Sequence, residues 1–283
     1  MALTDIAYDV RAKDAGLNVY FIAEADADGN SRLLKNVPAN PTCNAYSIAK
    51  AFTVLAVGQC FDKGLLNPSM RVSDVLGSFI PTDADEKWKN VTLHDVLTHR
   101  IGYGEGLLDI DAEDPLKWGS KDYLSLAFRA PLVHEPGMMR QYTDAAYYIA
   151  SRMVSRVTGQ TLADFLRPTL LDTMDFREMA WSACPQGYSM GATGLYVRTD
   201  DMVKLGVLWL RGGDWFGKRV VSETWVDTVI NRGYEFVPKL ADATSVWYGK
   251  GGMRGQMLTF NLKKGLAVAW NAYGKVPFDA MIN

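Results

Sequence analysis

Ser47 and Lys50 are the residues whose types and spacing first suggest chemistry. They stand at i and i+3 in Tyr46-Ser47-Ile48-Ala49-Lys50, so on a helix their side chains share one face. A serine hydroxyl is a poor nucleophile at neutral pH, but an adjacent amine that has lost its proton can activate it. The alternative is a helix-capping serine beside a surface lysine, because one Ser-x-x-Lys pattern in a chain of this length is roughly a chance event.

The segment that follows Ser47 predicts a buried helix. Apolar side chains lie on nearly every side from Ala45 to Phe61, and Gly64 is placed to end the helix. A helix that is apolar all round is buried, so its first turn would direct Ser47 towards the interior. The first backbone amides of that turn have no intrahelical partner and stay available to a ligand.

The composition is that of a globular protein, and it excludes several classes of partner. The chain has 283 residues, 48% of them hydrophobic, and a formal net charge of -2. It is long enough to bury a core without disulfides or metals. The sequence has no cluster of lysines and arginines, which argues against nucleic acid as a partner. No apolar run approaches the roughly 20 residues that cross a bilayer, so we expect no membrane association.

The first residues, the cysteines and the histidines set expectations for location and cofactors. Residues 1–18 are charged and lack an apolar signal-peptide core, and the three cysteines have no CxxC spacing, so we expect a cytoplasmic protein unless a leader was trimmed. His94 and His99 lie five apart and lack the i, i+4 spacing of a helical metal pair. The glycines from Gly102 to Gly106 lack the Gly-Lys-Ser/Thr ending of a phosphate-binding loop. No metal and no cofactor are expected.

Strand-like segments stand near both ends of the sequence. Leu17–Ala23 and Arg32–Asn36 flank the turn-forming Asp28-Gly29-Asn30 and predict a hairpin. From Val246 to Ala272 the chain alternates strand-like runs with tight turns, which is typical of an antiparallel meander. The middle of the chain, residues 65–185, is mostly helical with loops.

These blocks predict two parts in a chain of mixed α and β structure. An antiparallel sheet with flanking helices is expected from residues 1–45 and 186–283. A mostly helical lobe is expected from residues 46–185, which contain both Ser47 and Lys50. The predicted active site lies at the junction of the two parts.

Three short motifs carry a resemblance to a known family. They are Ser47-Ile48-Ala49-Lys50, Tyr142-Thr143-Asp144 and Lys250-Gly251-Gly252. Their order and spacing resemble the signature of serine β-lactamases and penicillin-binding proteins, especially the class C β-lactamase and esterase branch. Segments between the motifs are similar as well, namely Val91–Gly102, Glu135-Pro136-Gly137 and Gly191–Tyr196. The resemblance covers nearly the whole chain and implies the α/β (α+β) fold of the β-lactamase/D,D-peptidase type.

The resemblance also implies catalytic roles. Ser47 would be the nucleophile, and Lys50 and Tyr142 would share the transfer of its proton. Neighbouring cations would favour the unprotonated form of Lys50 and the ionised form of Tyr142, so either residue could be the general base. The oxyanion would be held by the backbone amides of Ser47 and Met253, the latter following the third motif on a strand at the sheet edge.

Two departures from the family pattern bear on the substrate. Asp144 stands where the family commonly has Asn, and its carboxylate would pair with Lys50 or Lys250 unless it only caps a helix. Gly251 replaces a threonine whose hydroxyl β-lactam hydrolases use towards the substrate carboxylate, and Arg254 is a candidate to compensate. The predicted substrate-binding residues are Asp144, Lys250, Gly251, Gly252 and Arg254.

The motifs and departures together predict a serine hydrolase that acts through an acyl-enzyme on a small ester, amide or peptide. Two alternatives remain at this stage: a β-lactamase or D,D-peptidase, and a binding or regulatory homologue with weakened catalysis. After the last predicted strand and the short turn that follows it, only residues 277–283 remain, whereas the family usually closes with a helix on the sheet. This short end predicts a thinly covered sheet face that could serve as a homodimer contact.

Overall fold

The computed structural model describes residues 16–35, 38–241 and 245–282. The described strands are β1 (Val19–Asp26), β2 (Ser31–Lys35), β3 (Thr42–Asn44), β4 (Met179–Trp181), β5 (Leu195–Arg198), β6 (Asp214–Trp215), β7 (Lys218–Arg219), β8 (Val237–Ala241), β9 (Val246–Gly252), β10 (Gln256–Asn261) and β11 (Leu266–Ala272). The described α-helices are α1 (Ala49–Asp62), α2 (Val72–Leu76), α3 (Leu93–Leu97), α4 (Tyr123–Arg129), α5 (Asp144–Thr158), α6 (Leu162–Arg167), α7 (Thr199–Leu210), α8 (Glu223–Arg232) and α9 (Phe278–Met281).

A six-stranded antiparallel sheet joins the two ends of the chain. Its strand order is β2-β1-β11-β10-β9-β8, and β1 pairs with β11 in a register that places Ala23 opposite Ala269. The predicted N-terminal hairpin is confirmed as β1 and β2, and the predicted meander is confirmed as β9, β10 and β11. Helix α7 packs on β1, β10 and β11, where a side chain at Gly206 would approach Ala267 closely. The sheet with flanking helices confirms the predicted fold class.

The C-terminal segment lies on an apolar cluster of the same sheet. The cluster includes Trp247, Val268 and Trp270, and each of its members is at most 8% exposed. Met281 and Ile282, at the end of the short α9, are buried in it. The expected thin cover is therefore wrong, because a few large apolar side chains close the face that a longer helix was expected to cover. The homodimer stays a prediction.

The chain divides into two compact units. One comprises residues 1–48, 168–180 and 195–283, and the other comprises residues 49–167 and 181–194. These bounds differ from those predicted, because two middle segments belong to units that their helical surroundings did not indicate. Residues 168–180 join the sheet unit, where the Arg177 amide donates to the Asp201 carboxylate. Residues 181–194 join the helical unit, where the Ser151 hydroxyl donates to the Ser189 carbonyl.

Helices α1 and α5 form the centre of the helical unit. Helix α1 is buried along most of its length, as its apolar sequence predicts, and it packs against α5. Helix α5 also contacts α2, α3, α4 and α6, and it ends at Gly159 in the left-handed conformation. Within the part of the chain that the structure describes, no helix is long and apolar enough to cross a bilayer.

Two helix boundaries can be described from the neighbouring contacts. Helix α7 begins at Thr199, whose hydroxyl donates to the side-chain oxygen of Asn271. Helix α6 ends at Arg167, and residues Pro168–Thr173 form a π-helical turn.

Candidate active site

The Lys50 ammonium lies buried in the helical unit between a carboxylate and aromatic rings. Its Nζ donates to Asp144 Oδ1 at 2.7 Å and to the Ala192 carbonyl at 3.0 Å, and the side chain is fully buried. The ring centre of Tyr142 is 4.7 Å from Nζ, and that of Tyr147 is 5.9 Å away. A buried ammonium needs such a partner, because an unpaired charge is costly to desolvate. Lys50 is thus not a surface lysine.

Asp144 acts here as an ion-pair partner rather than as a helix cap. It is the first residue of α5, and the N-cap position is occupied by Thr143. The carboxylate is 6% exposed and lies against Lys50, which is one of the two partners that the sequence predicted. An anion in the first turn of a helix is also favoured by the helix dipole. The pair stabilises the charged form of Lys50 and so works against its use as a general base.

His99 positions the backbone around Tyr142 and was missed as a site residue by the sequence analysis. It has a φ of 59°, which is uncommon outside glycine. Its Nδ1 accepts from the Thr143 amide at 3.3 Å, and its carbonyl accepts from the Gln141 amide at 2.8 Å. Its ring centre is 4.5 Å from that of Tyr142. The only sequence signal was its place in the family-like Val91–Gly102 segment.

Three carboxylates share one corner of the helical unit. Oxygens of Asp109, Asp111 and Asp144 lie within 4.8 Å of one another. The cation that contacts this group is the Lys50 ammonium on Asp144. Burial raises the pKa of Asp111, and the charges of Asp144 and Asp109 raise it further, whereas a hydrogen bond from the Thr193 hydroxyl and the Lys50 charge lower it. Asp144 is distant in sequence from the other two carboxylates, so no spacing rule indicated the cluster of three.

Replacing Asp111 with asparagine is expected to stabilise the protein more at pH 7 than at pH 4. A carboxyl whose pKa is raised by folding binds its proton more tightly in the folded state, so stability falls as pH rises through the interval between its unfolded and folded pKa. Asparagine keeps an acceptor for Thr193 and removes the charge. We expect Asp111→Asn to raise the Tm at pH 7 on the order of 1–3 °C. Thermal unfolding at both pH values measures it; equal changes at both, or the same change in the surface control Asp172→Asn, would contradict it.

Ser47 lies in a tight turn of the sheet unit just before α1. Residues Tyr46–Ile48 form a 3₁₀ turn in which Tyr46 has a φ of 48° and its amide donates to Asn44 Oδ1 at 2.8 Å. Ser47 is half-buried. Helix α1 follows this turn directly in the chain, and Lys50 is the second residue of that helix.

The third motif packs against this turn within the sheet unit. A side chain at Gly252 would lie 2.5 Å from the Ala45 carbonyl oxygen and 3.3 Å from Tyr46 Cβ, so only glycine allows this approach. The predicted edge position is wrong, because β8 lies outside β9 in the sheet. The β8 register nevertheless ends at Gly249, which leaves Lys250 and the two glycines beyond the paired part of that strand.

Lys250 forms an ion pair that the sequence did not indicate. It is 7% exposed and contacts the carboxylate of Glu235, which is 6% exposed and has a φ of 65°. Glu235 lies in the short connection between α8 and β8, where no motif draws attention to it. A non-glycine residue in the left-handed region costs free energy and often marks a functional position. The same two groups affect Lys239, whose pKa is lowered mainly by burial and then by the Lys250 charge, while Glu235 opposes the change.

Arg254 and Met253 lie in the 3₁₀ turn that follows β9. Arg254 has a φ of 60°, donates to the Tyr273 hydroxyl at 2.9 Å and stacks on that ring at 4.8 Å. The guanidinium therefore already has a partner, and its predicted role towards a substrate carboxylate stays a prediction. In the helical unit the structure brings Lys50, Tyr142 and Asp144 together. In the sheet unit it brings the Ser47 turn against Gly252.

Comparison with known proteins identifies the family. The model of the Beta-lactamase family matches residues 23–281. The chain belongs to the Beta-lactamase family. Among its relatives, penicillin-binding protein 4 of Amycolatopsis lactamdurans is 31% identical over 134 residues, which are 47% of this chain and 34% of the relative. Esterase EstB of Burkholderia gladioli is 29% identical over 156 residues, which are 51% of this chain and 40% of the relative.

Solved structures of the Beta-lactamase family type agree with the fold. The class C β-lactamase from Rhodobacter sphaeroides superposes with a TM-score of 0.70 at 16% identity, over 97% of this chain and 94% of that one. At this identity the likeness shows the fold alone. The matched regions of the curated relatives cover less than half of their own lengths. What those whole proteins do is therefore carried to this chain only as a proposal.

Proposed function

We propose that the protein is a serine hydrolase that forms an acyl-enzyme on a small ester or amide. Ser47 Oγ attacks the carbonyl carbon, and its proton passes to Lys50 Nζ or Tyr142 Oη. The amides of Ser47 and Met253 stabilise the oxyanion. Collapse breaks the bond to the alcohol or amine, which takes the proton as it leaves. Water then attacks the acyl carbon, and release of the carboxylic acid restores the Ser47 hydroxyl.

The observation that carries this proposal is the buried position of Lys50. Burying an ammonium is expensive, and here it is held by Asp144 Oδ1 and the Ala192 carbonyl beside the Tyr142 ring. A surface lysine beside a capping serine would be exposed to solvent and would need no buried carboxylate partner. The esterase among the curated relatives supports the same class of chemistry.

Labelling with a fluorophosphonate tests the proposal. This reagent phosphonylates an activated serine and expels fluoride, so we expect a single adduct on the parent protein that intact mass spectrometry detects. Peptide mapping should place it on Ser47, and Ser47→Ala should give none. Ser69→Ala removes a serine hydroxyl from the helical unit, whereas Ser47 belongs to the sheet unit, and this variant should label like the parent. An unlabelled parent protein, or an adduct that persists in Ser47→Ala, would overturn the proposal.

We further propose that the preferred acyl donor has no carboxylate near the third motif. The Glu235 carboxylate compensates the charge of Lys250, and Gly251 offers no hydroxyl. A substrate carboxylate placed there would meet Glu235, and repulsion between like charges in a poorly solvated place is substantial. This pairing favours a neutral ester or amide over a β-lactam, which makes β-lactamase and D,D-peptidase activity the second candidate.

Replacing Glu235 with glutamine should change this preference. We expect kcat/KM for an aryl ester with a carboxylate in its acyl group to rise about tenfold relative to a neutral aryl ester of similar length. The reason is that Glu235 no longer neutralises the Lys250 ammonium, which can then attract the substrate carboxylate. Paired kinetic measurements on the two esters give the ratio. Glu178→Gln, on an exposed glutamate, is the matched control. An unchanged ratio in Glu235→Gln, with the parent active on the neutral ester, would refute this preference and leave the hydrolase proposal standing.

The remaining proposals concern partners and location. The substrate is a small molecule, and neither nucleic acid nor membrane is proposed as a partner. A cytoplasmic location is proposed from the three cysteines, which lack CxxC spacing. The alternative of a binding homologue with weakened catalysis predicts ligand binding without turnover. A protein that is labelled at Ser47 and yet turns over no aryl ester would favour this alternative.

A further inference from the structure

The helical unit contains a cavity that the catalytic proposal does not use. It has a volume of about 270 Å³ and is lined by the C-terminal half of α5, the turn after it, and parts of two loops. Leu76 and Phe79 supply its apolar wall, and Tyr188 also lines it. This volume is at the small end of the range for ligand sites in proteins.

Two arginines from α5 line this cavity, and none of its described lining residues is acidic. Arg152 is 4% exposed, and its guanidinium stacks on Tyr188 with the carbon 3.6 Å from the ring centre. Its Nη1 donates to Tyr148 Oη at 3.1 Å and to Gln186 Oε1 at 3.5 Å, both neutral acceptors. Among the described residues, no carboxylate pairs with Arg152. Arg156, one helical turn further along, is exposed at the same cavity.

A buried hydroxyl in the same cavity has no hydrogen-bond partner. Ser155 is 7% exposed, and its Oγ is one of the buried side-chain atoms left without a partner among the described residues. Burying a hydroxyl without a hydrogen bond is unfavourable, so native proteins rarely leave one in this state. Ser155 lines the cavity, but its Oγ has under 1 Å² of accessible surface, so the guanidinium groups are the donors that an anion in the cavity would meet.

We infer that this cavity binds a small oxyanion, a carboxylate or a phosphate, that carries a compact apolar or aromatic group. The oxyanion would accept from the guanidinium groups of Arg152 and Arg156. The apolar group would pack on Leu76 and Phe79. The inference is independent of the proposed hydrolase activity, because it uses none of the catalytic groups.

An adjoining cavity is the less suitable of the two for an anion. It has a volume of about 370 Å³ and shares Phe79, Arg152 and Tyr188 with the first, but Asp122 is among its lining residues. A carboxylate there repels an anionic ligand. Near the first cavity, Asp164 is bonded to the Thr161 hydroxyl, so Thr161 is not counted among the donors. The donors of the site are therefore Arg152 and Arg156.

Titration with three probes tests the site on the full chain. Inorganic phosphate, phenyl phosphate and benzoate are added to the protein while heat release and amide chemical shifts are followed. We expect saturable binding of at least one aromatic probe, with shifts at Ser155 and Gly159. Whichever of benzoate and phenyl phosphate binds more tightly identifies the oxyanion as a carboxylate or a phosphate. Inorganic phosphate should bind more weakly than phenyl phosphate, because it lacks the group that packs on the apolar wall.

Matched variants distinguish a built site from attraction by surface charge. Arg156→Gln should weaken binding about tenfold. Arg167→Gln makes the same charge change at an exposed arginine on α6 outside the cavity, and it should bind like the parent. Arg152 is left intact, because its burial makes a substitution there a test of folding. Absence of saturable binding for all three probes, or equal binding by the parent and Arg156→Gln, would overturn the inference.

Discussion

Lys50→Met is expected to lower kcat for an aryl ester by about 10²–10⁴-fold, the range attributed to a positioned general acid or base. Lys50 follows Ser47 by three residues in the sequence, and its Nζ lies next to the ring of Tyr142. Methionine has a similar length but cannot accept or deliver a proton. Lys63→Met changes an exposed lysine just beyond the end of α1 and should leave kcat unchanged.

The partner of Lys50 separates its catalytic role from its structural role. Lys50→Met leaves the Asp144 carboxylate buried without its ammonium, which is expected to cost about 3–5 kcal/mol of unfolding free energy. The double variant Lys50→Met/Asp144→Asn removes both charges and should regain most of that stability without regaining activity. Denaturant unfolding and steady-state kinetics on the same preparations measure both quantities. Recovered activity in the double variant would show that Lys50 serves only to balance Asp144.

Asp144→Asn alone tests how the carboxylate controls the base. Asparagine can still accept a hydrogen bond from Lys50, but it no longer stabilises the ammonium form electrostatically. The acidic limb of the kcat/KM profile should therefore move to lower pH, because the amine becomes available at lower pH. Profiles that superimpose would mean that Tyr142 takes the proton without help from Lys50.

The sequence predicted the features of the fold that follow from local pattern and from motif order. The hairpin of β1 and β2 followed from a turn between two β-rich runs, and α1 followed from its continuous apolar stretch. The pairing of Lys50 with Asp144 was predicted as one of two options, because the resemblance placed the carboxylate between two lysines. Each of these predictions rests on neighbouring residues or on a motif of known spacing.

The features that the sequence did not predict depend on tertiary contacts between residues that no pattern connects. Glu235 reaches Lys250 from a connection without a motif, and Asp111 lies beside Asp144 only after folding. His99 was considered as a metal ligand by spacing, whereas its structural role follows from its left-handed backbone and its bond to Thr143. The boundaries of the two units differ from the predicted ones for a similar reason, since residues 168–180 and 186–194 belong to units that local propensity does not indicate.

Gly252→Ala is expected to lower kcat/KM for an aryl ester by about 10²–10³-fold, the loss measured when an oxyanion-hole donor is removed. The added Cβ would lie 2.5 Å from the Ala45 carbonyl oxygen and 3.1 Å from Gln256 Cβ, so the end of β9 and the turn at Tyr46–Ile48 must separate. That separation displaces the amides of Ser47 and Met253, the proposed oxyanion donors.

Gly251→Ala is the matched control for this change. A Cβ at Gly251 would meet its nearest atom, the Met257 methyl carbon, at 3.5 Å, which is ordinary van der Waals contact. Gly251→Ala should therefore keep kcat within a few-fold of the parent, whereas Gly252→Ala should lose kcat more than it raises KM, because an oxyanion donor acts mainly in the transition state. Kinetics and the rate of fluorophosphonate labelling measure the difference. Equal rates for both variants would contradict the oxyanion role of the end of β9. Gly252, which the packing against the Ser47 turn requires, would then be dispensable for catalysis.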